Sequence, residues 1–151
     1  MIQEAYNKLA KKHQLPKYDE LNNELEISTA EHEEFLIREI RRKILERVDF
    51  LAETLNNLLQ PDTASIPSMT EHNSFDEKEL EETTALFKKI MILKRKGERA
   101  AFSEDEEEAT YVKEAFETLK TEKQNIKKAF ERMKEAWNKE EKGYSGAEYL
   151  G

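Results

Sequence analysis

Two clusters of basic side chains are the groups in this sequence best placed to do chemistry. Arg38, Arg41, Arg42, Lys43 and Arg47 crowd one short stretch, and Arg38 and Arg42 share one side of a helix with Arg41 beside them. Lys94, Arg95, Lys96 and Arg99 form the second cluster. Positive charge at this density suits an anion or an anionic partner. If the helices that carry the clusters fold back on each other, both clusters reach the same end of the protein. The acidic run Glu104-Asp105-Glu106-Glu107-Glu108 would start at that end too. One outcome is a self-neutralising set of surface ion pairs, each contributing only ~0–1 kcal/mol. The other is a binding site for an anion or a partner, bordered by acids.

Carboxylates are abundant, yet none falls into a ligand pattern. A di-iron bundle needs Glu three residues before His. The residues three before His13, His32 and His72 are Ala10, Thr29 and Met69. His32-Glu33 is followed by Glu34, Phe35 and Leu36, which is not the zinc-protease spacing. Helical nucleotide pyrophosphatases use EExxE, but Glu33-Glu34, Glu81-Glu82 and Glu107-Glu108 are followed at the needed place by Ile37, Ala85 and Tyr111. No glycine precedes a phosphate-loop Lys-Ser/Thr, and no motif pairs Ser or Thr with a His. The chain has no Cys, which removes disulfides, thiol chemistry and thiolate metal sites. No catalytic residue, metal ligand or cofactor is therefore assigned.

The end of the chain holds a second candidate. Trp137, Tyr144, Tyr149 and Leu150 lie within fifteen residues. Trp137 continues an apolar helical seam. Tyr144 and Tyr149, in GYSGAEYLG, have no helical reason to be there, so they are read as docking residues.

Three long helical stretches must position these groups. Residues 28–60 carry Ile37, Ile40, Ile44, Val48, Leu51, Leu55 and Leu58 at steps of three and four, with Ser28 and Glu31 at capping-box spacing and Pro61 as the stop. Ser74 and Glu77 signal a second long helix, from Phe75 to about Lys96, with Gly97 just past its end. Ser103 and Glu106 signal a third, from Glu104 to about Lys142. Its seam is Ala109, Val112, Phe116, Leu119, Lys123, Ile126, Phe130, Met133 and Trp137, a heptad pattern typical of a coiled coil. Residues 2–13 and 17–25 read as two short helices, and residues 61–74, with two Pro, as a loop.

Charged residues make up 38% of the sequence against 37% hydrophobic, a balance that favours long exposed helices. The net charge of −8 lowers the expectation of nonspecific nucleic-acid binding. No run approaches the ~18 apolar residues of a membrane span, and the first residues lack the apolar core of a signal peptide. The REIRRK block and the LLQPDT ending, within residues 35–63, resemble small archaeal helical proteins of no assigned function. That resemblance implies a cytoplasmic prokaryotic source and brings no mechanism.

The sequence thus predicts an all-α fold: an elongated antiparallel helical bundle of three long helices plus two short N-terminal ones. Residues 1–142 form one domain and 143–151 a tail. The expected function is a non-catalytic protein-interaction or adaptor module in the cytoplasm. The alternatives are RNA or ribonucleoprotein binding through Arg38, Arg41, Arg42, Lys94, Arg95, Lys96 and Arg99, and a helical enzyme without a linear motif. A protein partner is expected, a homodimer stays open, and no membrane is involved.

Overall fold

The computed structural model describes residues 2–138. Six α-helices follow one another: α1 (Ile2–His13), α2 (Tyr18–Leu25), α3 (Leu36–Leu59), α4 (Ile66–Asn73), α5 (Glu77–Ala100) and α6 (Asp105–Asn138). Two single 3-10 turns, Ile27–Thr29 and Glu33–Phe35, precede α3, and no strand occurs among the described residues. The all-α class read from the sequence is the class observed.

The helix starts differ from the expected ones, for local chemical reasons. Ser28 does not cap α3. Its backbone N–H donates to the Asn22 side chain at 2.9 Å, inside the 3-10 turn. The carboxylate of Glu39, in the first turn of α3, reaches back and accepts from the N–H groups of Glu31 and His32. Ser74 closes α4 by donating its hydroxyl to the Glu71 carbonyl. The capping box of α5 sits two residues later: Asp76 accepts from the N–H of Glu79 at 2.7 Å, and Glu79 accepts from the N–H of Asp76 at 3.0 Å. Ser103 turns its hydroxyl back to the Arg99 carbonyl, and the Glu104 carbonyl accepts the first N–H groups of α6.

The stretch expected to be a loop contains α4. Ser65 is its N-cap, accepting from the N–H of Ser68, and Pro67 stands in the first turn, where its missing N–H costs nothing. The His72 Nδ1 donates to the Leu58 carbonyl at 2.7 Å and so holds α4 to the end of α3.

The described residues fall into two compact units, residues 2–51 with 90–121 and residues 52–89 with 122–138. In the first, α1 and α2 pack through Tyr6, which is fully buried, donates its hydroxyl to the Pro16 carbonyl and lies 5.9 Å from the Tyr18 ring. Leu36, Ile40, Ile44 and Val48 of α3, Ile90 and Leu93 of α5, and Val112, Ala115 and Phe116 of α6 complete its core. The backbone turns out of α1 at Gln14 and out of α2 at Glu26, both with φ near +55° (56° and 53°), where glycine is the residue without strain.

The second unit buries Leu55 and Leu58 of α3, Phe75, Leu86 of α5, and Ala129, Met133 and Ala136 of α6. The expected seam of α6 is only partly the buried face. Phe116 and Met133 are buried, whereas Leu119, Ile126 and Phe130 are half-buried and Trp137 is exposed. The positions that recur as buried at seven-residue intervals are Glu108, Ala115, Glu122, Ala129 and Ala136. Small side chains let neighbouring helices come close, and the two glutamates are carried inside on that same face.

Candidate functional site

Within the first unit, α5 runs antiparallel to α3, and α6 runs parallel to it. Asp49 of α3 accepts from Lys94 of α5 at 2.7 Å, while Leu45 reaches the backbone of Gly97, one turn further along α5. Arg41 of α3 lies at the level of Glu108, near the start of α6. This register brings the two basic clusters onto adjacent helices but staggers them. Arg38 is eleven residues before Asp49, ~16 Å along the helix at 1.5 Å per residue. Arg99, one turn past Arg95, extends to the level of Arg42.

Carboxylates occupy most of the basic groups. The Arg41 guanidinium is buried and donates from Nε to Glu108 Oε2 at 2.8 Å; Glu108 itself is 1% exposed. Arg38 approaches the other oxygen of Glu108 at 3.8 Å and lies 5.6 Å over the Phe35 ring. Lys94 is held between Asp49 and Glu98, and Arg95 donates to Glu98 at 2.7 Å. Hydrogen bonding to Asp49 raises the Lys94 ammonium above its ordinary range, and the Arg95 guanidinium lowers the Glu98 carboxyl. Lys96 donates to Glu114. Arg42 and Arg99 are exposed and have no ion-pair partner among the described residues. Tyr144 and Tyr149 lie outside the described residues.

The acidic run behaves in two ways. Glu108 alone turns inward to the arginines. Glu104, Asp105, Glu106 and Glu107 are exposed and pair with no base among the described residues. The basic clusters instead find Asp49, Glu98 and Glu114, acids spread along all three long helices.

The sequence pattern misplaces one residue beside the basic clusters and misses another. Gly97, expected just past a helix end, is inside α5, where its missing side chain makes room for Tyr111. A Cβ there would lie 2.6 Å from the Tyr111 hydroxyl, 2.7 Å from Cζ and 2.9 Å from Leu45 Cδ1. The Tyr111 hydroxyl is buried without a hydrogen-bond partner, and burial, with Asp49 nearby, raises its pKa. An open cleft of about 240 Å³ lies beside this ring, lined by Lys96, Arg99, Thr110 and Glu114 among others.

In the second unit Glu122 is buried and accepts from Lys89 and from the Asn125 amide at 2.8 Å. The Lys89 hydrogen bond holds its carboxyl below the usual carboxylate range. A carboxyl lowered in the folded state contributes stability above its unfolded value of ~4.3 and loses it as pH falls through the folded value. Lys89→Met should therefore be most destabilising near neutral pH. The stability gap to the natural chain, measured by urea unfolding at several pH values, should close as pH falls below that of a free carboxylate.

Large apolar side chains stand in water at several points. Phe35, Phe50 and Ile92 are more than half exposed in the first unit, and Phe102, between α5 and α6, is 94% exposed. In the second unit Ile66 is exposed, and Trp137 is 37% exposed with its indole N–H donating to Glu71 at 3.0 Å.

Among the described residues no cluster of three or more His, Asp or Glu side chains could hold a metal ion, and no helix is long and apolar enough to cross a membrane. Neither a protein-family model, a curated protein nor a solved structure matches this chain.

Proposed function

We propose that this chain is a non-catalytic, helical protein-interaction module acting in the cytoplasm. One contrast supports the reading. Arg41, Arg95, Lys94 and Lys96 are engaged by carboxylates, whereas Phe50, Ile92 and Phe102 lie more than half exposed in the same unit. A surface that neutralises its cations and presents aromatic side chains suits another protein, because buried aromatic anchors carry much of the energy of protein interfaces.

RNA binding has less support, since of these basic residues only Arg42 and Arg99 are exposed without an ion-pair partner among the described residues. The reading is tested by fusing the full chain to a promiscuous biotin ligase in its native cells, with ultraviolet RNA crosslinking in parallel. A reproducible set of biotinylated proteins beyond the ligase-only control is expected, with no crosslinked RNA. Arg42→Glu with Arg99→Glu should leave both results unchanged. Crosslinked RNA that weakens with salt and disappears in that double variant would replace this function with the nucleic-acid one.

A further inference from the structure

The turn between α5 and α6 is short and fixed. Ala101 donates its N–H to the Gly97 carbonyl, Phe102 to Arg99 at 3.0 Å, and Ser103 to Ala100 at 3.0 Å, and the Ser103 hydroxyl returns to Arg99. Ala100, at its base, is buried. On this rigid tip Phe102 is 94% exposed, more than any other large apolar residue described. Nothing in the local fold requires a phenyl ring there. The four acids that follow have a structural reason, since carboxylates stabilise the first turn of a helix. The aromatic ring has none.

We infer that Phe102 and the adjoining carboxylates Glu104–Glu107 form a docking tip for a basic protein partner that offers an apolar pocket rimmed by Lys or Arg. The inference rests on the interaction-module reading and gives its partner a chemistry. Charge decides among the occupants. Four exposed carboxylates, against the exposed guanidiniums of Arg99 and of Arg42 at its level, which have no ion-pair partner among the described residues, leave the tip at −2, as 4 minus 2. An anionic lipid surface or a nucleic acid is repelled by that charge, and a second copy of the same tip is repelled equally. A basic surface is attracted, which raises the encounter rate, and the ring supplies the anchor once contact is made. Because the turn is already ordered by its own hydrogen bonds, docking loses little conformational freedom.

The test is selection of a random peptide display library on the full chain, followed by titration of the enriched peptides against Phe102→Ala and against the variant Glu104→Gln, Asp105→Asn, Glu106→Gln, Glu107→Gln. Enriched peptides should combine Lys or Arg with a bulky apolar residue. Phe102→Ala should weaken them about thirty-fold, the size of a hot-spot loss, with its thermal melt unchanged because the ring is so exposed. The amide variant and added salt should each weaken binding as well.

Peptides without basic residues, or no enrichment at all, would overturn the inference. So would Phe102-dependent binding to phosphatidylserine vesicles, or a concentration-dependent dimer lost in Phe102→Ala. Binding peptides that ignore Phe102→Ala would also overturn the tip assignment while leaving the interaction reading in place. That reading falls separately, if biotin labelling returns no proteins.

Discussion

Glu108→Ala is expected to cost about 3–5 kcal/mol, the range for breaking a buried ion pair by removing one partner. Glu108 is 1% exposed, and its main partner, the Arg41 side chain, is 7% exposed. Deleting the carboxylate leaves the buried Arg41 guanidinium without the acceptor that its Nε uses. Arg38, 3.8 Å away and nearly half exposed, can turn outward; Arg41 cannot. Removing both charges should behave differently. Arg41→Met with Glu108→Leu fills similar volume without desolvating an ion, so its urea midpoint should match or exceed that of the natural chain. A cost below about 1 kcal/mol for the single alanine variant would mean that the pair contributes no more than a surface ion pair.

Gly97→Ala is the second large effect, and its sign opposes simple propensity. In an exposed helix interior the change stabilises by about 1 kcal/mol. Here the new methyl would sit 2.6 Å from one atom of a buried tyrosine and 2.9 Å from a leucine methyl. Neither is the free end of a flexible exposed chain, so helix or ring must move. A net loss of about 1–3 kcal/mol is expected, the range for overpacking a well-filled core. Tyr111→Phe alone should be neutral or mildly stabilising, because the hydroxyl is buried without a partner. In the double variant it should rescue Gly97→Ala only in part, since the ring carbon remains 2.7 Å from the new methyl. A thermal melt in which Gly97→Ala raises the midpoint would show that the contact relaxes freely.

The sequence made the helices legible where apolar spacing was strong and misled where a residue type has two roles. Ile40, Ile44 and Val48 were placed in the core by their period, and they are there. Pro67 reads as a breaker in the sequence, yet proline in a first turn starts a helix, and Ser65 supplies the cap. Ser74 and Asp76 are both good cap residues two positions apart. Only the geometry of the turn after α4 shows that the aspartate is used and the serine closes the preceding helix. The apolar pattern sets the α6 face one position away from Glu108, Ala115, Glu122, Ala129 and Ala136, because a glutamate in sequence reads as solvent-facing and alanine carries little apolar signal. Glu108 and Glu122 lie inside because Arg41 and Lys89 come from other helices, and no spacing along α6 records that. The basic clusters were legible as clusters, but their acidic partners were not. The acids of the run at residues 104–107 pair with no base among the described residues, and Asp49 and Glu114 take their place.

The placement of the aromatic residues has a spectroscopic consequence. The single tryptophan, Trp137, lies on α6 in the second unit, where its indole bonds to Glu71 of α4. Its emission therefore reports the loosening of that helix pair, which exchanges a carboxylate neighbour for water. Tyr6 and Tyr111 belong to the first unit, and burial holds both hydroxyls protonated well above the alkaline range of a free phenol. Their ionisation, followed as ultraviolet absorbance at high pH, becomes easy only when that unit opens. The natural chain thus carries two optical reporters, one on each unit, and the order in which the units come apart can be read without attaching a label.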